Sequence, residues 1–294
     1  MFTKDSRILS YRLTVPLTSV SRAVGDVFKP KTNLFDQLIK SIFTNNEQGF
    51  AYDPNDLTTM FQDDAGTVPI TGAGQSVGFI RDKSGNNNHA YQTTSASRPI
   101  LRQNAVTGAY YLEFDGSDDF LQTSNIDFTV TDKVSLFAGI RKLTEIPRAI
   151  VVEASANYGN LSGGFALAAP FIGTTGSYYV GISGAAGILF ANIGGYAAPN
   201  SAILSSKMDL SKELYSDQLK VRINATDKTY SSASTAQGGN FANTPVYIGR
   251  RGGNSAPFNG HIYSLIVAGR LATESETVGI EKELAKRTGV TLSV

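Results

Sequence analysis

The clearest alternation of apolar and polar positions along the chain lies at residues 110–114. Leu112 and Phe114 alternate with Tyr111 and Glu113, which has the period of two that predicts a strand with one buried face. A tight turn should follow, because an aspartate can bond its own backbone and glycine accepts a positive φ. A second short run at 120–122 completes a predicted strand–turn–strand corner, whose structural residues are Phe114, Asp115, Gly116 and Asp119.

Further apolar alternation predicts a series of strands after this corner. Positions 134, 136, 138 and 140 fall on one face of a strand, and positions 219, 221 and 223 fall on one face of another. Residues 262–267 are almost continuously apolar, which is typical of a strand covered on both sides. Regularly spaced strands with turn residues between them predict an all-β fold, an antiparallel β-sandwich.

Helical spacing occurs at the two ends of this series. In residues 34–43, Leu34, Leu38 and Ile42 stand four apart, with Phe35 and Ile39 beside them, and this stripe predicts an amphipathic helix. Near the C-terminus, Thr273 and Glu276 form a capping box, and a glycine at 289 marks the helix end. We also predict an ion pair between Glu283 and Arg287, four residues apart on that helix.

Residues 1–35 differ from the rest of the chain. They hold short β-prone pieces broken by Pro16 and Pro30, and they carry six Lys or Arg residues against two Asp. A segment this short cannot bury a core of its own. We predict an extended arm that becomes ordered when it docks on a partner; an extra edge strand of the sandwich is the alternative. The predicted division is an arm and helix at 1–48 and a sandwich at 49–294.

Residues 159–195 contain ten glycines. Glycine in strands marks bends or close backbone approach. We favour packing against a neighbouring subunit over the alternative, the floor of a ligand groove. Five aromatic side chains would not all face one core, and left exposed they would form an interface in a homo-oligomer. They are Phe165, Phe171, Tyr178, Tyr179 and Phe190.

Composition excludes several classes of protein. The 294 residues include no cysteine, which excludes a disulfide framework, a thiolate metal site and a cysteine nucleophile. A net charge of +1 gives no indication of nucleic-acid binding. No apolar run reaches the about 20 residues of a membrane span, and the N-terminus lacks a signal-peptide core. We expect a soluble protein made in the cytoplasm, without nucleic acid or membrane insertion.

Catalytic motifs are missing from the sequence. Neither histidine has a neighbour at metal-ligand spacing, and no serine nucleophile elbow or phosphate loop occurs. Glu113, Asp115 and Asp118 approach the spacing of the carboxylates in sandwich glycoside hydrolases, but two of them fall in the predicted turn. The acidic residues between 53 and 82 do not follow a calcium-loop pattern. We expect no enzyme and no cofactor, with a structural Ca²⁺ as the open alternative.

Several stretches resemble a known family. Residues 49–64, 82–90 and 97–99 resemble a header found in tailed-phage structural proteins, where it precedes a laminin-G-like, concanavalin A-like jelly roll. Residues 111–121 resemble the opening FDGxDD motif of that domain, and residues 258–267 with the helix after them resemble its end. The likeness covers roughly residues 49–294. Ala51 stands where members often have a tryptophan, which counts against sugar stacking at that point.

The resemblance implies a bacteriophage virion protein on the tail or the capsid surface. Its arm would attach to other virion proteins, and analogy with phage appendages favours a trimer. The lectin-like domain would aid host adhesion by weak glycan binding, for which Tyr178 and Tyr179 are candidates because tyrosine can stack on sugars. The alternatives are a decoration or spacer protein without a ligand, and a glycan-degrading depolymerase. The attachment candidates are Arg7, Arg12, Arg22, Lys29 and Lys31.

Overall fold

Strands with apolar inward positions form most of the regular secondary structure among the described residues. The computed structural model describes residues 33–171, 175–230 and 237–293, so the attachment candidates Arg7, Arg12, Arg22, Lys29 and Lys31 lie outside the described residues. The strands are β1 (Gly49–Tyr52), β2 (Met60–Phe61), β3 (Phe79–Ile80), β4 (Ala90–Tyr91), β5 (Ile100–Gln103), β6 (Tyr110–Asp115), β7 (Leu121–Thr123), β8 (Ile126–Asp127), β9 (Lys133–Lys142), β10 (Ile150–Ala154), β11 (Phe165–Ala168), β12 (Tyr178–Gly184), β13 (Gly187–Ile193), β14 (Asn200–Asp209), β15 (Leu219–Ile223), β16 (Thr226–Lys228), β17 (Asn243–Thr244), β18 (Val246–Ile248) and β19 (Asn259–Ala268). Among the described residues the α-helices are α1 (Leu34–Ile42), α2 (Tyr215–Gln218) and α3 (Glu274–Thr288), and short 3-10 turns occur at Leu57–Thr59, Ser95–Ser97 and Tyr158–Asn160.

These strands form two large antiparallel sheets. Sheet A has eight strands in the order β16-β15-β14-β9-β19-β6-β5, with β1 also paired to β19. Sheet B has nine strands in the order β13-β12-β11-β10-β18-β7-β4-β3-β2, and β8 pairs with β17 separately. Strands far apart in sequence lie side by side, as β9 does with β14 and β19. The predicted antiparallel sandwich is confirmed.

The main core lies between the two sheets. Val134, Leu136, Ala138 and Ile140 of β9 are all buried in it, as their alternation predicts. Phe137, between them, points to the opposite face of sheet A, where it joins a second apolar layer. Side-chain alternation along the strand is the physical reason for this division.

Two helices cover the outer face of sheet A. Helix α1 buries Phe35, Ile39 and Ile42 against it, while Leu34 is 53% exposed. The predicted stripe is confirmed at Phe35, Ile39 and Ile42 and wrong at Leu34, because the buried face is centred on the side of Phe35. The compact unit that contains both sheets begins at Phe35. The division at 48/49 stays a prediction, since residues 1–32 lie outside the described part of the chain.

Helix α3 has the predicted ends but not the predicted ion pair. The side chain of Thr273 and that of Glu276 form the capping box, and Gly289 ends the helix with a left-handed φ of 75°. Arg287 does not pair with Glu283. It is buried, pairs with Asp53 and lies 3.7 Å over the ring of Phe35. A buried guanidinium needs a buried carboxylate, and this requirement overrides the weak surface pair.

The strand–turn–strand corner has the predicted form. Phe114 is buried at the end of β6, and the backbone N–H of Ser117 donates to Asp115 Oδ1 at 2.7 Å. Gly116 has a φ of 79°, as expected for the turn. The Asp115 N–H donates to the carboxylate of Asp119 at 3.0 Å, so this buried side chain holds the turn closed.

Candidate binding groove

A third apolar layer lies on the outer face of sheet B. Its buried members are Ile150, Tyr158, Ala166, Ala168 and Tyr179, with Phe171 and Ala256 packed against them. We call this set the outer cluster. It includes Tyr179, one of the two residues predicted from the sequence to bind a glycan.

Tyr178 and Tyr179 point to opposite faces of β12 because neighbouring side chains in a strand alternate. Tyr178 lies in the main core, where its hydroxyl donates to Asn200 Oδ1 at 2.9 Å. Tyr179 lies in the outer cluster. Of the two candidates, the structure brings only Tyr179 to a surface groove, and the burial of Tyr178 keeps it from contact with a ligand.

A row of stacked rings forms the floor of this groove. Tyr179 stacks on Phe171, with ring centroids 4.2 Å apart, and on Phe190, with ring centroids 5.3 Å apart. Phe190 and Ile188 are outward positions of the edge strand β13 and remain 39% and 37% exposed. The groove has a volume of about 360 Å³. It is lined by Arg148, Asn157, Tyr158, Gly159, Asn160, Phe171, Tyr179, Ile188, Phe190 and Arg251.

Two glycines allow the Tyr158 turn to lie directly on sheet B. A Cβ at Gly181 would lie 2.5 Å from Tyr158 Oη, and a Cβ at Gly164 would lie 2.9 Å from Tyr158 Cα. Gly181 is also the cross-strand partner of Phe190. The space that a side chain at 181 would fill is thus taken by Tyr158, whose hydroxyl bonds that of Tyr179. Burial raises the pKa of Tyr179 to about 12, so its hydroxyl stays protonated.

A buried ion pair supports the groove from below. Glu153 is fully buried, and both of its carboxylate oxygens accept from Arg251 Nε, at 2.9 and 3.1 Å. The backbone N–H of Tyr158 also donates to Glu153, at 2.8 Å. Burial raises the pKa of Glu153, and Arg251 opposes that effect. The pair fixes the guanidinium at the side of the groove, where its Nη2 is buried and has no hydrogen-bond partner.

The burial of the aromatic residues corrects one step of the sequence argument. The five rings do not all face one core, as predicted, but Phe165, Tyr178 and Tyr179 are buried within this chain and are not free to form an interface. The glycines explain why: close approach occurs inside the chain, as at Gly163, where a Cβ would lie 2.6 Å from the carbonyl oxygen of Asn240. The homo-oligomer itself stays a prediction.

Sequence reasoning missed several groove residues. Phe190 is predicted from the sequence to lie at an interface, and Ile188 could have been found, since residues 188–193 alternate between exposed and buried positions along β13. Glu153 and Arg251 could not, because 98 positions separate them and no local pattern marks either one.

The acidic corner is the part of the described chain where three carboxylates come close enough for a cation. Oxygens of Asp115, Asp118 and Asp119 lie within 4.8 Å of one another. Burial, and then the charges of Asp115 and Asp118, raise the pKa of Asp119 to about 7. Asp118 already accepts from Ser97 Oγ at 2.6 Å, and Asp119 closes the turn. These bonds account for the cluster as part of the corner, and a structural Ca²⁺ stays an open expectation.

Glu113 does not join this group. It pairs with Arg102 at 3.1 Å on the outer side of sheet A. The carboxylates that approached hydrolase spacing in the sequence are thus not gathered into one set.

A second cavity, of about 220 Å³, lies where α3 begins over sheet A. Its charged groups bond one another: Arg222 donates to Glu274 at 2.9 Å and to Glu281 at 3.0 Å. The groove on sheet B, with exposed rings and an unpartnered guanidinium nitrogen, is the better candidate for a binding site.

No family model and no curated protein matches the chain. Solved structures do match. They include the binding domain of botulinum neurotoxin serotype C1 (10% identity, TM-score 0.52, covering 82% of this chain and 52% of that one). The serotype D ligand-binding domain in complex with N-acetylneuraminic acid is similar at 10% identity, a TM-score of 0.51, and coverage of 84% and 52%. Domain 4 of the extracellular arabinanase AbnA from Geobacillus stearothermophilus, in complex with arabinotriose, is similar at 13% identity, a TM-score of 0.52, and coverage of 81% and 98%.

These similarities establish the fold. The chain spans about half the length of the neurotoxin chains and almost all of the arabinanase domain. All three likenesses are to β-sandwich domains, which agrees with the jelly-roll prediction. No helix among the described residues is both long enough and apolar enough to cross a membrane.

Proposed function

We propose that the groove on sheet B binds a saccharide and that the chain is a lectin-like protein. The observation that carries this proposal is the exposed ring of Phe190, stacked on Tyr179 and bordered by hydrogen-bond donors. A sugar ring has an apolar C–H face and a polar rim. An aromatic floor with a few placed polar groups complements both, as in small-molecule sites generally.

The lining also favours binding over hydrolysis. Among the described residues that line the groove there is no aspartate or glutamate. Glycoside hydrolysis needs two carboxyl groups across the bond that breaks. Glu153 lies below the groove, fully buried and bonded to Arg251, and cannot serve as a free acid or base.

Two of the similar structures support the proposal without naming a ligand. The arabinanase domain is in complex with arabinotriose and the serotype D domain with N-acetylneuraminic acid. At 10–13% identity these structures indicate only that a sandwich of this fold can carry a sugar site. The location of such a site in this chain is proposed from the groove residues.

The biological setting is part of the same proposal. The phage-like header at 49–64 and 82–90 supports a virion protein that adheres to a host surface through this groove. Residues 1–48 would attach it to other virion proteins. A decoration or spacer protein of the virion is the second candidate, and it predicts no ligand at the groove.

Phe190→Ala tests the site. The protein is screened on a glycan array, and bound glycans are then measured by calorimetry. Because Phe190 is partly exposed on an edge strand, the variant should keep the wild-type unfolding temperature and lose at least tenfold in affinity.

The matched control is Leu214→Ala, which removes an apolar side chain that is 63% exposed elsewhere on the surface. It should bind like the wild type. An array without any bound glycan, or wild-type affinity in Phe190→Ala, would contradict the proposal.

A further inference from the structure

Taking the groove as a saccharide site, as proposed above, we propose that its ligand is an acidic sugar whose carboxylate is held by Arg251 and Arg148. This inference names the chemical class of the glycan. It rests on the donors left over once the contacts within the protein are satisfied.

Arg251 supplies the first donor. Its guanidinium carries five N–H groups, and Nε alone meets both oxygens of Glu153. The Nη2 atom is buried and has no hydrogen-bond partner. The Arg251 side chain as a whole is only 11% exposed, so water does not readily supply the acceptor that Nη2 lacks. A buried donor without an acceptor is costly, and an acceptor brought by a ligand removes that cost.

Arg148 and Asn157 supply further donors. Arg148 is exposed at the groove and has a positive φ of 62°, in the loop just before β10. The Oδ1 atom of Asn157 already accepts from the N–H of Gly159 at 3.2 Å. Its amide nitrogen is therefore the part of that side chain that remains for a ligand.

The balance of charge points the same way. The described lining contains two arginines and no acid, and Glu153 below it neutralises one of them. The groove thus keeps about one positive charge while offering donors but no side-chain carboxylate as an acceptor. Neutral sugars present hydroxyls that both donate and accept, whereas a carboxylate only accepts and fits the planar fork of arginine.

The second cavity offers an internal comparison. Its arginine is also partly buried, but Arg222 bonds Glu274, Glu281 and the carbonyl oxygen of Ala225. A guanidinium at a structural site in this protein thus finds acceptors on several nitrogens. Arg251 bonds Glu153 through Nε alone, and its Nη2 is buried without an acceptor.

The test compares acidic oligosaccharides with neutral counterparts by calorimetry. Sialyllactose is paired with lactose, and trigalacturonic acid with its carboxyl-reduced trimer, so that the two arms separate sialic from uronic acids. At least one acidic oligosaccharide should bind tenfold or more tightly than its neutral partner. Added salt should reduce this difference in affinity.

Arg148→Gln removes the charge and keeps a polar side chain at a residue that is exposed. It should weaken acidic binding three- to tenfold and neutral binding by less, so that the ratio of the acidic to the neutral affinity falls. Lys212→Gln, at an exposed site outside the groove, is the control and should change neither. Arg251→Lys keeps a cation beside Glu153 but removes the fork, and should weaken acidic binding further. If that variant does not fold, Arg148→Gln decides.

The outcomes separate this inference from the proposed function. Equal affinity for acidic and neutral partners would overturn the acidic class and leave a saccharide groove in place. Loss of neutral and acidic binding to the same extent in Arg148→Gln would also overturn it. No binding by any glycan on the array would refute both.

Discussion

Replacing Gly181 with alanine tests how the groove floor is built. The new Cβ would lie 2.5 Å from Tyr158 Oη and 2.8 Å from both Tyr158 Cζ and Tyr179 Cε1. Ordinary contacts between carbon atoms are about 3.5–4.0 Å, so the rings must move by roughly 1 Å. Such overpacking costs about 1–3 kcal/mol, and loss of the hydrogen bond between the two hydroxyls adds about 1 kcal/mol.

We therefore expect Gly181→Ala to lower the free energy of unfolding by roughly 2–4 kcal/mol, out of about 5–15 kcal/mol for a typical domain. Urea unfolding followed by circular dichroism measures it. The displaced rings should also weaken glycan binding at the groove.

Gly194→Ala is the matched control, because nothing lies within 4 Å of a Cβ there. It should be neutral or stabilising by under about 1 kcal/mol, since alanine reduces the entropy of the unfolded chain. If Gly181→Ala unfolds at the same urea concentration as Gly194→Ala, the Tyr158 turn does not lie on β12 as described.

Three further predictions concern the corner and the assembly. Gly116→Val should lower the unfolding free energy by at least about 1–3 kcal/mol, because φ is 79° and the new Cβ would lie 2.7 Å from Asn259 Cβ; an unchanged melting temperature would contradict this. Asp119 has a folded-state pKa raised to about 7 from 3.8, so its protonated form stabilises the fold below about pH 4 and that contribution is lost as pH rises through 7. Asp119→Asn should therefore be more stable than wild type by roughly 2–4 kcal/mol at pH 8 and equal to it at pH 3.5; added Ca²⁺ that reverses the order at pH 8 would show a bound cation instead. Sedimentation should show a homo-oligomer, and a monomer at all concentrations would exclude it.

Local patterns in the sequence were enough for the elements that depend on local physics. The alternation in β9, the corner at Gly116 and the cap at Thr273 each need only a strand period, a φ value or a nearby donor. Residues close together in the sequence meet those requirements, and all three predictions are confirmed.

Contacts between distant residues could not be predicted in this way. Arg287 is 234 positions from Asp53, and Arg251 is 98 positions from Glu153. In each pair a buried charge is paired with an opposite charge that the folded structure places beside it, and the spacing of the two residues in the sequence does not indicate the pairing. The expected pair of Glu283 with Arg287 failed for this reason.

The glycine-rich segment shows where a correct pattern supports two interpretations. Glycines among aromatic residues indicate close approach, but whether that approach is within a chain or between chains depends on strand register. The register puts Gly181 opposite Phe190 and beneath Tyr158, so the approach is internal. What remains exposed is small, chiefly Phe190 and Ile188, whereas a stable subunit contact buries about 800 Å² on each partner. We infer that this surface suits a short saccharide better than a subunit, and that an oligomer of this chain would take most of its interface from another face.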